Sequence, residues 1–348
     1  SIRRSENLRR KMMNHSHFFN KDLDQTATRN ISFFLLVLVF LVLVLSISTS
    51  KNRERRVDEI RSNVVIENET VQNPFKNLYI EAKSAIVWDI GHGKAIFEKT
   101  ADKKMPLASL TKLVTAAVAL ENSKDLTSIS IDNESLSAEG DTGLRSGEKF
   151  SIRELLKIVL VSSSNDGARA IASAVGATMP RSVSTEAGDE NVQAFVGAMN
   201  EFSQKNGLME NNFRNEHGLD ISKEEDAGRG SAREIATLLE YLMKNHPEVL
   251  EATANGELTV YSAQGVLHKL KNTNRIVDSV PGILASKTGY TELAGGNVAV
   301  VASPGLEGPF AIVVLGSSYD GRFSDLEKLS AATIKYLDVG GNKKIDPI

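Results

Sequence analysis

Hydrophobic and polar positions are spread unevenly along this chain. Residues 31–47, ISFFLLVLVFLVLVLSI, carry no charge, and only Ser32 and Ser46 interrupt the apolar run. As a helix the run would extend about 25 Å, within reach of a bilayer. An all-round apolar helix flanked by charges is hard to place in a soluble domain, so the pattern predicts one N-terminal transmembrane helix over 31–48. Ser46, Ser48 and Ser50 are small enough for a cleavage site, but the length of the run and the lack of an A-x-A pattern favour a retained signal anchor. Residues 49–77 are charged and then polar without an apolar period, which predicts a tether. A folded domain is expected over 78–340, with a short tail at 341–348.

Beyond the tether the periodicity changes. The runs 84–89 (SAIVWD) and 94–98 (KAIFE) are short and β-rich, and IGHG at 90–93 between them predicts a hairpin turn. Helical spacing and composition predict helices over 109–121, 152–161, 192–206 and 232–244, and a closing helix over 324–337. Residues 297–302 (NVAVVA) and 310–316 (FAIVVLG) read as buried strands. Strands at the two ends of a domain are best satisfied in one shared sheet, which makes the helical middle an inserted second lobe. A cleft between the lobes is the natural place for chemistry.

Charge and composition narrow the class of function. The 348 residues hold 41 Lys+Arg and 44 Asp+Glu, a net charge of -3, which excludes the strongly basic balance of a nucleic-acid binder. The basic excess is local: residues 1–30 carry seven basic and three acidic side chains, which predicts a cytoplasmic N-terminus and an extracytoplasmic, mildly acidic remainder. The chain has no cysteine, so disulfides, thiolate metal sites and cysteine nucleophiles are removed together. The six histidines include no H-E-x-x-H, and neither a metal nor a cofactor is expected.

Three short motifs follow in order. Ser109-Leu110-Thr111-Lys112 opens a predicted helix; three residues apart, the hydroxyl and amine share a face, so the amine can take the proton the hydroxyl loses on becoming a nucleophile. That role needs a lysine pKa depressed from about 10.4 by desolvation or a nearby positive charge. A second S-x-x-K, at Ser48 and Lys51, lies at the membrane boundary where no pocket is expected. Ser163-Ser164-Asn165 follows an apolar helix; a hydroxyl there can relay a proton and an amide can orient the lysine and hold a substrate carbonyl. Lys287-Thr288-Gly289, before Tyr290, can grip a carboxylate, the glycine leaving room for substrate along a strand edge.

S-x-x-K, S-x-N and K-T-G in this order are shared by penicillin-binding proteins and serine β-lactamases. From Ser84 to Leu337 the chain resembles the D-alanyl-D-alanine carboxypeptidases, through PLASLTKLVTAAVAL, LRSGEKFSIRELLKIVLVSSSNDGARAIA, FRNEHGLD, SKTGYTELAGG and GSSYDGRFSDLEKL. The resemblance implies a two-lobed α/β fold, with a mainly antiparallel five-stranded sheet flanked by helices and an inserted helical lobe. It implies Ser109 as the acylated nucleophile, Lys112 as its base, and Ser163 with Asn165 as the relay and orienting pair. Lys287 and Thr288 would bind the substrate's terminal carboxylate, and the backbone N–H groups of Ser109 and Tyr290 would form the oxyanion hole.

The implied substrate is the peptidoglycan stem peptide, with β-lactam antibiotics as covalent inhibitors and no nucleic-acid partner. Where the family commonly has glycine this chain has Ser164, and the further C-terminal β-rich domain of many relatives has no counterpart in the residues given. A DD-endopeptidase is therefore the alternative. A class A-like β-lactamase lacks its E-x-x-L-N-like element between Asp166 and Ser286, and a silent peptidoglycan-binding protein would not need the full acylation set. His217, in EHGLD, is expected to serve loop structure.

Overall fold

The computed structural model describes residues 33, 35–45, 51, 72–123, 126–180, 189–208, 213–305 and 307–340. The chain divides into two units, 1–68 and 69–348. In the first, residues 33 and 35–45 are helical and exposed. Among the described residues no helix is long and apolar enough to cross a membrane, and the rest of the expected 31–48 span, with Ser48 of the second S-x-x-K, lies outside them.

The second unit is built on a five-stranded antiparallel sheet. Its strands are β1 (Ser84–Asp89), β2 (Lys94–Lys99), β3 (Ile283–Thr291), β4 (Gly295–Ala302) and β5 (Phe310–Ser317), in spatial order β2-β1-β5-β4-β3. The first two strands thus share a sheet with the last three, β1 pairing β5 in the register Ser84↔Leu315 to Asp89↔Phe310. All eight residues of β5 are buried because both faces of the sheet are covered. The two-residue alternation sends Ala311, Val313 and Leu315 into the large core shared with the helical lobe, and Phe310, Ile312 and Val314 into a smaller core on the opposite face.

The inserted lobe holds α1 (Thr111–Asn122), α2 (Ile152–Val161), α3 (Asn165–Gly176) and α4 (Glu190–Lys205); α5 (Ala232–Asn245) packs on the sheet. Their starts follow capping chemistry. Ser151 accepts from Glu154 N, Ser164 from Gly167 N, and Ser231 with Glu234 forms a reciprocal capping box. The closing helix α6 (Gly321–Gly340) covers the smaller core. Its buried Asp325 accepts from the backbone N–H groups of Glu81 and Ala82 and from Ser317 Oγ, fastening the entry of the domain to its last helix.

Two expectations are corrected. The tether does not extend to residue 77: Phe75 is 2% exposed, stacks on Phe97 and meets Tyr336, so the polar composition of 72–77 conceals one apolar anchor. The helix expected from 109 starts at Thr111, because Ala108–Leu110 form a 3-10 turn whose Ala108 has φ 49°.

Candidate active site

The sheet edge β3 and the helical lobe meet around Ser109. Ser286 turns its N–H outward to Thr253 Oγ1, 2.8 Å away, so strand alternation puts the N–H groups of Thr288 and Tyr290 on the same edge. Lys287 and Gly289 share the strand face towards the lobe. A Cβ built on Gly289 would lie 3.0 Å from both Leu107 O and Ser109 N. The space that glycine leaves is therefore filled by the backbone carrying Ser109, which differs from the expected role of leaving room for substrate. The buried Asn297 of β4 strengthens this junction: its Nδ2 donates to Pro106 O and Leu107 O, each at 3.0 Å, and its Oδ1 accepts from Gly316 N.

The three motifs converge side chain by side chain. Lys112 Nζ donates to Ser109 Oγ at 3.0 Å, to Asn165 Oδ1 at 2.7 Å and to the His217 carbonyl oxygen at 2.7 Å. Asn165 Nδ2 donates onward to Glu139 O. Lys287 Nζ donates to Ser163 Oγ at 2.9 Å and to Thr288 O at 2.8 Å. The sequence motif groups Ser163 with Asn165, whereas the structure divides them: Asn165 serves Lys112 and Ser163 serves Lys287. Thr288 Oγ1 donates to Thr273 Oγ1 at 2.7 Å. Tyr290 is half-exposed and stacks edge-on against Tyr319 with ring centroids 5.0 Å apart.

Backbone strain concentrates here. Ala108 and Ser163, at φ 49° and 61°, are two of the three non-glycine residues with positive φ among the described residues. Such conformations cost of order 1–3 kcal/mol each and persist only where the surroundings impose them. At both places they aim a serine hydroxyl at a lysine.

Burial sets the electrostatics. Lys112 is 0% exposed, and desolvation lowers its pKa to about 7 against the opposing pull of Glu216. Lys287 is pushed well below the ordinary lysine value by burial and by the positive charges of Lys112 and Arg322. His217 falls to about 3 through burial and the proximity of Lys112 and Arg169, so it is neutral; its Nδ1 accepts from Leu219 N at 3.1 Å, the loop role expected of it. Among the described residues no group of three or more His, Cys, Asp or Glu side chains is placed to hold a metal.

Sequence reasoning missed Thr273, the His217 carbonyl and the buried pair Glu216–Arg169. A carbonyl acceptor has no sequence signature, but a charged residue inside FRNEHGLD beside a small-residue helix is a signal that could have drawn attention to Glu216.

Comparison with known proteins agrees with this geometry. Residues 67–318 match the family model described as D-alanyl-D-alanine carboxypeptidase. The chain is 30% identical over 266 residues to D-alanyl-D-alanine carboxypeptidase DacC of Escherichia coli, covering 72% of this chain and 60% of that protein. It is 28% identical to a D-alanyl-D-alanine endopeptidase of Haemophilus influenzae, covering 63% and 70%. The match thus spans less than two thirds of the length of DacC. The crystal structure of penicillin-binding protein D2 from Listeria monocytogenes, in an ampicillin-bound form, superposes with a TM-score of 0.60 at 30% identity, covering 74% of this chain and 99% of that one. With a family match across most of its folded unit, the chain belongs to the D-alanyl-D-alanine carboxypeptidases, peptidase family S11.

Proposed function

We propose that the protein is a serine-type D-Ala-D-Ala carboxypeptidase acting on peptidoglycan stem peptides through an acyl-enzyme. The observation that carries this reading is the 3.0 Å contact between Ser109 Oγ and a fully buried Lys112. A lysine with a pKa near 7 is neutral for much of the time at physiological pH and can accept the serine proton. Ser109 Oγ then attacks the penultimate D-alanine carbonyl, whose oxyanion would be held by the N–H groups of Ser109 and Tyr290. As the C–N bond breaks, the proton passes from Lys112 or by way of Ser163 to the leaving amine, releasing D-alanine. Water then hydrolyses the ester and restores Ser109. Lys287 and Thr288 are assigned to the substrate's terminal carboxylate, with the peptide lying along the free edge of β3.

Penicillins would acylate the same serine, as the ampicillin-bound form of the Listeria relative suggests for this fold. A fluorescent penicillin is expected to label the protein, and Ser109→Ala to abolish both label and D-alanine release. An unlabelled wild-type protein would remove this reading. The endopeptidase alternative rests on the 28% identity to the Haemophilus endopeptidase over 63% of this chain. Product analysis on pentapeptide and cross-linked muropeptides separates the two.

The site is proposed to face the extracytoplasmic side on a membrane anchor at 31–48, supported by the uncharged run and its basic N-terminal flank. Retention of the intact chain in a carbonate-washed membrane fraction tests this.

A further inference from the structure

Next to His217, whose carbonyl accepts from Lys112, the chain carries a carboxylate that the proposed reaction does not use. Glu216 is 0% exposed, and neither of its side-chain oxygens has a hydrogen-bond partner. It is 3.8 Å from Arg169 Nη1 and 3.8 Å from His217 Nε2. Leaving a buried carboxylate without hydrogen bonds is costly, so its presence calls for a compensating task.

Its placement indicates that task. Arg169 follows Asn165 by four residues on α3, so the two lie on one face of the helix. Asn165 and the His217 carbonyl are two of the three acceptors of Lys112. The Arg169–Glu216 pair therefore ties the loop bearing one acceptor to the helix bearing the other. The backbone of that loop is clamped as well: Thr115 Oγ1 donates to Glu216 O at 2.6 Å, and a Cβ on Gly218 would lie 2.0 Å from Ala108 O.

Lys112 meets Asn165 and Ser109 at hydrogen-bond distance, and its charge acts on Lys287 as a like charge. Glu216 is the carboxylate that acts on Lys112; burial raises its own pKa, and the charges of Arg169 and Lys112 pull it back down. Glu216 itself faces Arg169, His217, Lys112 and, from the start of α4, Asp189; Arg169 also reaches Glu134 at 3.5 Å.

We propose that Glu216, anchored by Arg169, is a positioning residue for Lys112: it fixes the His217 carbonyl against the amine and supplies the negative charge that the buried ammonium faces after taking the serine proton. This rests on Ser109 being the acylated nucleophile. Because Glu216 touches neither Ser109 nor substrate, its effect is exerted through Lys112.

The test is the pH dependence of the acylation rate of the purified full chain by a fluorescent penicillin. In Glu216→Gln the acidic limb is expected to move to lower pH by about one unit, since the protonated lysine has lost its counter-charge. The plateau should fall about tenfold. Glu216→Asp should bring the limb back towards its wild-type position. Arg169→Met removes the cation that holds Glu216 ionised and tied to its loop, so its limb should move in the same direction as that of Glu216→Gln, and less far. A shift to lower pH in both variants that Glu216→Asp reverses is not produced by general loosening, and the Arg169→Met arm decides the matter if Glu216→Gln does not fold. A Glu216→Gln profile superposable on wild type, or an Arg169→Met limb unmoved or shifted to higher pH, would overturn the proposal. Failure of wild-type labelling would instead strike the reading of Ser109, so the two failures are told apart.

Discussion

Lys112 and Lys287 are both sealed from water, at 0% and 1% exposed, yet their neighbours differ in kind. Lys112 faces three oxygen acceptors, the Glu216 carboxylate opposes the effect of burial, and its pKa settles at about 7. Lys287 has two acceptors and two cationic neighbours, Lys112 and Arg322, and is pushed well below the ordinary lysine value. Burial of equal depth thus yields two different groups. The first can take and return a proton near neutrality; the second has no carboxylate partner among the described residues and is matched to an incoming anion. A substrate carboxylate has that charge, which gives a physical reason for assigning binding to one lysine and proton transfer to the other.

The sharpest way to break this comparison is to delete each amine in turn. Lys112→Met is expected to reduce the acylation rate about 10³-fold, the scale of a lost general base. The acidic limb near pH 7 should vanish with it. Lys287→Met should lower kcat/KM for a peptide ending in a free carboxylate by about 10–100-fold, as expected for a lost charge-assisted hydrogen bond. The second effect should shrink when the terminal carboxylate is amidated. Equal losses on both peptides would show that Lys287 is not a carboxylate ligand.

Stability against pH sharpens the same contrast. Both lysines have folded pKa values below the unfolded value of about 10.4, so between the folded and unfolded values the unfolded chain binds more protons. Stability should therefore rise with pH over that range, by up to about 1.4 kcal/mol per pH unit for each lysine. For Lys112 the rise begins at about pH 7. Urea midpoints at pH 7 and pH 9 measure it, and either single Met variant should flatten the slope. A midpoint that falls between those values in wild type would contradict the assigned shifts.

The two lysines are held together by a glycine contact. Gly289, on the strand of Lys287, abuts the turn of Ser109, and a methyl group there meets backbone atoms at 3.0 Å. Gly289→Ala should force β3 away from that turn, destabilising the fold by about 1–3 kcal/mol and slowing acylation about tenfold. Loss of stability without loss of rate would mean that the gap between strand and turn does not control the oxyanion site.

Much of this site was readable because its chemistry is written in local spacing. Ser109 and Lys112 are three residues apart, and Ser163 and Asn165 flank a helix start, so short strings suffice to find them. The shared sheet was readable too, since 84–89 and 310–316 are strands too apolar to lie apart. What the sequence could not show are contacts between distant segments. The His217 carbonyl at Lys112, Thr273 under Thr288 and Arg169 beside Glu216 join positions 105, 15 and 47 residues apart. The role of Gly289 was misread for the same reason: a glycine on an edge strand offers space, and only the fold shows that the backbone of Ser109 fills it.

Ser164 stands between Ser163, the partner of Lys287, and Asn165, the partner of Lys112, and it is where the comparison can be perturbed most gently. Its hydroxyl does not point at either amine. It accepts from Gly167 N at 2.9 Å, capping α3, and lies 2.7 Å from Thr142 Oγ1. An Ncap serine contributes about 1 kcal/mol over alanine and only a few tenths over glycine. Ser164→Ala should therefore lower stability by about 1 kcal/mol, and Ser164→Gly by less, with acylation rates within about twofold of wild type. Thermal unfolding together with penicillin labelling measures both quantities on one sample. If Ser164→Gly slowed acylation tenfold while keeping its stability, the hydroxyl would be aiming Ser163 and Asn165 at their separate lysines, and its assignment as a helix cap alone would fail.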